Sequence, residues 1–235
     1  MKTDKSKLLH LLEQYSQPVD VVPADAAVIV DGMAMLQSLT SPAGTFGEVA
    51  RPLFERLTKS MIAPGSRLDF VIDRYPDISI KYDEHHRRAG SGVIRVCILS
   101  GDQKLPLQWK KFLRSSDNKK AFLHFLSDEW SRQSYVSAQL TDSKVMFVND
   151  NELCYRLQRA SDGTILREKI SALECNHAEA DTRLILHAAH AGNSGHRCII
   201  IKSPDTDVAV LTISHCAQIN GKVLFQLVPN IAVGM

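Results

Sequence analysis

The 235 residues are 44% hydrophobic and 23% charged, and 28 Lys and Arg against 26 Asp and Glu leave a formal net charge of +2. That length and apolar content suit one large domain or two small ones with a substantial core, and the balanced charge leaves any affinity for polyanions to local basic patches. MKTDKSKLLHLLEQY at the N-terminus lacks the apolar centre of a secretory signal, and no stretch approaches the roughly 18 to 20 apolar residues of a membrane span. A nuclear or cytoplasmic protein is therefore expected, without a membrane partner and not secreted. Five scattered cysteines (Cys97, Cys154, Cys175, Cys198, Cys216) with no C-x-x-C pair point to reduced thiols and away from zinc.

In chain order, residues 4–16 have the pattern of a short helix and QPVDVVPAD is a proline-broken connection, so that 1–20 form an N-terminal helix and linker and 21–235 the main domain. AAVIV (26–30) predicts a buried strand ending at Asp31-Gly32. GEVARPLFERLTKSMI (47–62) has helical periodicity despite Pro52, and RLDFVID (67–73) predicts a second buried strand, again with an acid at its C-terminal end. A basic helical stretch is expected over 80–88, a turn at Gly90-Ser91-Gly92, and a strand in IRVCILS (94–100). Residues 106–134 are helical in pattern, with Lys110, Lys111, Arg114, Lys119 and Lys120 close together. VMFVN (145–149) predicts a strand and the stretches around Ser161-Asp162-Gly163 a hairpin. A helix over 177–190, a strand over 197–201 and a last strand over 222–228 complete the series. Strands alternating with helices imply an α/β fold with a mainly parallel central sheet.

The acids follow a pattern. Asp31 follows the first strand, Asp73 ends the second, Glu179 and Asp181 open a helix, and Asp205 and Asp207 follow CIIIKSP. On parallel neighbouring strands Asp31, Asp73, Asp205 and Asp207 share one edge of the sheet, and the helix can bring the other two above it. Hard oxygen ligands without histidine or cysteine suit Mg²⁺ or Mn²⁺, and two such ions serve in-line phosphodiester hydrolysis. Taken singly, each acid also has an ordinary structural role open to it: Asp31 a turn, Asp73 an ion pair with Arg74, Asn176 with Glu179 a capping box, Asp181 the helix dipole, Asp205 an N-cap.

VIVDGMAML (28–36), FVIDRYPDISIKYDEHHRR (70–88), AEADTRLILHA (178–188) and IIIKSPDTDVAVL (199–211) together resemble the PIN-like nucleases, and within them the flap endonuclease/XPG-type family. The wording NHAEADTRLILHAAHA…IIIKSPDTDVAVL is similar to a set of animal, often transposon-associated PIN-like proteins. The resemblance spans about residues 26 to 211, and residues 92–175 stand as an insertion of basic helical region and hairpin.

The resemblance implies a three-layer PIN-like fold and a metal-dependent, structure-selective nuclease acting on DNA or RNA, with DNA expected ahead of RNA as the partner. Asp31, Asp73, Glu179, Asp181, Asp205 and Asp207 would hold one or two Mg²⁺ or Mn²⁺ ions, with Lys81, Arg88 and Arg87 on the scissile phosphate. Lys110, Lys111, Lys119 and Lys120 would grip flanking phosphates, or else form a solvated helix face. The family's further aspartate, in a later G-x-D segment, has no counterpart before Met235, from which a truncated product with an incomplete second metal position is expected. The alternative is a PIN-like nucleic-acid-binding or scaffold protein without catalysis.

Overall fold

The computed structural model describes residues 22–39, 44–75, 94–141 and 143–227, with positions 7, 8, 11, 12, 14 and 19. Most of the expected N-terminal helix, the basic stretch with Lys81, Arg87 and Arg88, the turn at 90–92 and the tail from 228 lie outside the described residues.

Short β-branched runs become the strands of one seven-stranded sheet: β1 (Ala27–Asp31), β2 (Arg67–Val71), β3 (Val145–Asp150), β4 (Leu153–Arg159), β5 (Ile165–Lys169), β6 (Cys198–Ser203) and β7 (Lys222–Leu227), in spatial order β5-β4-β3-β2-β1-β6-β7. β1, β2, β3, β6 and β7 pair in parallel, and only β4 runs against the rest, because it forms antiparallel pairs with both β3 and β5. The chain builds from β1 towards β2 and β3 on one side, then returns to add β6 and β7 on the other. Strand order therefore reverses between β1 and β6, and it is at the carboxyl ends of such a point that ligand sites of open α/β sheets lie.

Side chains alternate across these strands. Val28, Leu68, Phe70, Met146, Val148 and Ile200 face α1 (Gly32–Gln37), α2 (Phe46–Thr58), α3 (Trp109–Phe112), α4 (Ser116–Arg132) and α5 (Ser134–Gln139). Ala27, Ile29, Val71, Ile199 and Ile201 face α6 (Ala180–Asn193) and α7 (Thr206–His215). The result is three layers, helices on both faces of a mostly parallel sheet. In the first layer Trp130 is fully buried, its ring 5.6 Å from Phe54 and 5.4 Å from Phe70, and its Nε1–H donates to the Ala50 carbonyl at 3.0 Å.

Two expectations are corrected. IRVCILS enters no strand; Val96 and Ile98 turn to the core as a strand's would, but the Val96 N–H donates to the side chain of Asn118 at 2.8 Å in place of a neighbouring backbone. The helical pattern over 106–134 is broken into α3 and α4 at Ser115, whose extended backbone and Oγ cap α4 by accepting from the Asn118 N–H. The N-cap role open to Asp205 is the one it takes: it starts α7 and accepts from the Asp207 N–H at 3.0 Å.

The second layer holds a polar group that the alternation conceals. Asp69 points from β2 towards α6 with no exposure, beside the equally buried Arg67 two residues earlier on the same face. Arg67 grips it with both arms of the guanidinium, Nε to Oδ1 at 2.8 Å and Nη2 to Oδ2 at 2.7 Å. His187 of α6 closes the group, its Nδ1 2.7 Å from Oδ2. Burial by itself would raise the Asp69 carboxyl, but Arg67 and the hydrogen bonds outweigh it and hold the group at about 2. Burial pushes His187 down, so the ring is neutral near pH 7 and the Nδ1–H tautomer donates to Asp69.

A carboxyl lowered on folding adds stability above its unfolded pKa of about 3.9 and loses it as pH falls towards about 2, on the order of 2 kcal/mol. Asp69→Asn leaves the Arg67 charge buried without its counter-ion and is expected to cost roughly 3 kcal/mol or more at neutral pH. Denaturant titrations of both proteins between pH 7 and 2 should show that difference shrinking below about pH 4.

Candidate functional site

Each strand-end acid is oriented by a hydrogen bond from its surroundings. Asp31 ends β1 and caps α1: its Oδ1 accepts from the Ala34 N–H at 3.0 Å, and its Oδ2 from the Ser203 hydroxyl at the end of β6, also at 3.0 Å. This second bond ties the end of β1 to the end of β6. Gly32 must follow Asp31, because a Cβ there would stand 2.6 Å from the Phe70 ring and 2.8 Å from Ile72.

Asp73 lies two residues beyond β2. Its Oδ1 accepts from the Ala180 N–H at 2.9 Å, so an acid from the sheet caps the start of α6, and its Oδ2 accepts from the Tyr75 hydroxyl at 3.2 Å. The expected capping box of Asn176 with Glu179 does not form; Glu179 is itself the N-cap residue, without a side-chain cap bond. Nor does Arg74 pair with Asp73. It turns away to Glu152 and to the Asn176 carbonyl.

Asp181 sits half-buried in the first turn of α6, and its carboxyl is raised to about 6 by burial first, then by Asp205, Glu179, Asp31 and Asp73. Five acids from four parts of the chain thus share one field. Asp31 is raised as well, by burial above all and by Asp73. The sixth acid, Asp207, is exposed on the first turn of α7. Among the described residues no group of three or more His, Cys, Asp or Glu is arranged to hold a metal ion outright. Asp205, Glu179, Asp31 and Asp73 act on Asp181 through their charge, and the donors these acids offer are oxygen only, the kind that hard cations take.

Arg183 was not foreseen as part of this assembly, although the helix motif contains it. Fully buried one turn after Ala180, it donates from Nη1 to the Ile72 carbonyl at 3.0 Å and from Nη2 to the Asn151 carbonyl at 2.8 Å. It braces the strand end that carries Asp73 against the helix that carries Asp181. An arginine in a helical pattern reads as surface; only the apolar neighbours Leu184 and Ile185 hinted otherwise.

The expected lysines divide. Lys110 and Lys111 are exposed on α3. Lys119 is not on a solvated face but buried, with its ammonium 4.7 Å from the centre of the Tyr75 ring. It cannot grip an outside phosphate while packed in this way; it contributes charge to the floor beside Asp73. Lys120 lines a small recess together with Asp73, Tyr75 and Asp150.

The chain matches no protein-family model, no curated protein and no solved structure. Carboxylate geometry and field are therefore what bear on function.

A carboxyl raised on folding costs stability once pH exceeds its unfolded pKa of about 3.9, and the cost grows as pH rises through about 6. Asp181→Asn should accordingly raise the thermal midpoint above about pH 6 and leave it unchanged below about pH 4, as measured by circular dichroism at the two ends of that range.

Proposed function

We propose that the chain is a metal-dependent phosphodiesterase of the PIN-like, flap endonuclease/XPG-type class, acting on nucleic acid, DNA in preference to RNA. The observation that carries this reading is the gathering of Asp205, Glu179, Asp31 and Asp73 about Asp181, whose carboxyl they help to hold at about 6. Repulsion of that kind is relieved by a cation, and oxygen ligands alone select Mg²⁺ or Mn²⁺. Asp31, Asp73, Glu179, Asp181 and Asp205 would hold one or two ions, with Asp207 at the rim. The chemistry such an ion would supply is activation of water and charge stabilisation at the phosphate.

The chain's own part is to orient these acids. Ala34 and Ser203 fix the two oxygens of Asp31, and Ala180 and Tyr75 those of Asp73. Asp181 and Asp205 stand on the first turn and at the N-cap of α6 and α7. By resemblance, Lys81, Arg87 and Arg88 would neutralise charge on the scissile phosphate. A nuclear or cytoplasmic location goes with a nucleic-acid substrate.

One observation favours a second reading, that of a PIN-like nucleic-acid-binding or scaffold protein without catalysis: among the described residues no three potential ligands converge closely enough to hold an ion unaided.

Incubation with branched, single-stranded and duplex DNA and RNA in Mn²⁺ separates the two. Cleavage that EDTA abolishes, and that Asp205→Ala and Asp73→Ala lower by about 10² or more, supports the nuclease, the scale expected where metal-held charge stabilisation is lost. Binding without cleavage, the same blank for wild type and variants, and no change in thermal stability with Mn²⁺ would support the scaffold.

A further inference from the structure

The segment from Ile94 to Arg114 carries Arg95, Lys104, Lys110, Lys111 and Arg114, all exposed, against a single acid, Asp102. None of the five forms an ion pair with a described residue. Surface cations of this sort are usually scattered and independent. Those near the ends of the segment are held together by Asn118.

Asn118, fully buried in the first turn of α4, donates from Nδ2 to the Ile94 carbonyl at 3.1 Å and to the Phe112 carbonyl at 3.4 Å, and accepts at Oδ1 from the Val96 N–H at 2.8 Å. One side chain thus fastens the backbone on both sides of Arg95 to the backbone between Lys111 and Arg114. The intervening loop is pinned as well. The Gln103 amide accepts from the Leu99 N–H and donates to the Cys97 carbonyl, both at 2.9 Å, and the Gly47 N–H donates to the Gly101 carbonyl at 2.8 Å. No Cβ fits easily between those glycines: one added at Gly47 would be 3.1 Å from the Gly101 carbonyl oxygen.

The position of this group is as informative as its rigidity. The two residues after Asn118 are Lys119, stacked on Tyr75, and Lys120, which shares a recess with Asp73. Tyr75 in turn donates to Asp73. The Arg95/Lys111/Arg114 group therefore adjoins the acid edge through consecutive residues of one helical turn.

We propose that Arg95, Lys110, Lys111 and Arg114, fixed by Asn118 beside the acid edge, form a phosphate-binding surface for the backbone of a double-stranded nucleic acid. This rests on the nuclease reading only for the direction in which the duplex leaves the acids. The preference for a duplex follows from where the aromatic rings are. Single strands are held by stacking bases on exposed aromatics, and Trp109, Phe112 and Phe122 are buried against one another, with centroids 5.2 and 5.3 Å apart for Trp109 with Phe112 and Phe122. Outwards the segment offers the apolar Ile94, Leu99 and Leu107 but no aromatic ring, and its exposed charge reads phosphates and not bases.

Fluorescence anisotropy in EDTA, with a short labelled DNA duplex and the matching single strand, tests the surface in the absence of cleavage. Wild type is expected to bind the duplex more tightly than the single strand. Combined Arg95→Glu, Lys111→Glu and Arg114→Glu should weaken duplex binding at least tenfold and reduce the slope of log affinity against log salt by about two to three. Lys222→Glu, at the start of β7 and so at the opposite edge of the sheet, should change affinity less than about twofold, the level expected of net charge alone. Equal binding by wild type and the triple variant, a Lys222→Glu loss equal to that of Arg95→Glu, or tighter binding of the single strand would overturn the proposal. Mn²⁺ binding followed by electron paramagnetic resonance on the same proteins in EDTA-free buffer keeps the two readings apart: duplex binding lost in the triple variant while wild type takes up no Mn²⁺ would retain this surface and remove the metal site.

Discussion

A carboxylate with no access to water sits in the middle of the sheet, and the second layer is organised around it. Asp69 can be there only because Arg67 on the same strand and His187 on α6 supply its partners. Apolar packing of Leu184, Ala188 and Ala191 would let α6 slide or turn on β1, β2 and β6 with little change in energy. The bond from His187 to Asp69 restricts it to one register. Seven residues, or about two helical turns, towards its N-terminus from that anchor, α6 meets Asp73 through its first free N–H, and Asp181 lies in the same turn. The same helix is therefore fixed near its middle by a buried hydrogen bond and at its N-terminus by one of the acids it is to meet.

That arrangement accounts for what could and could not be recognised from the amino acids in order. The layers, the parallel strands and the hairpin follow from runs such as AVIV and CIII, whose composition leaves few alternatives. Asp31, Asp73, Glu179, Asp181 and Asp205 stood out because acids recur at strand and helix ends. Asp69, Arg67 and His187 did not, because RLDFVID reads as a buried strand by its apolar residues, and nothing local reveals that a histidine 118 residues later will partner its aspartate. Asn118 is hidden for the same reason: its three partners belong to residues 94, 96 and 112, and a lone asparagine near the start of a helix reads as an ordinary first-turn residue.

Local signals also misled where tertiary packing could imitate them. IRVCILS has the alternation and β-branching of a strand, and its Val96 and Ile98 do face the core. Its backbone is nevertheless met by amide side chains, Asn118 and Gln103, so that it gains the burial of a strand without a ladder. Lys119 reads as one more exposed cation in KK, yet falls under Tyr75, where the cation is attracted to the ring face. Neither case is a failure of periodicity; each is a position at which a side chain from elsewhere replaced the expected neighbour.

The bond from Ser203 to Asp31 spans 172 positions of the chain. β1 has β2 for a neighbour soon after it leaves the ribosome, but its other neighbour, β6, is synthesised much later. Loop closure over such a distance places the docking of β6 among the slow, late events of folding. Until then β1 is an edge strand with an open row of backbone donors and acceptors, and Asp31 has lost one of its two partners. The carboxylate edge is thus completed by the same step that closes the sheet, so that partly folded chains, in which β1 remains exposed to foreign strands, do not yet carry the assembled acids.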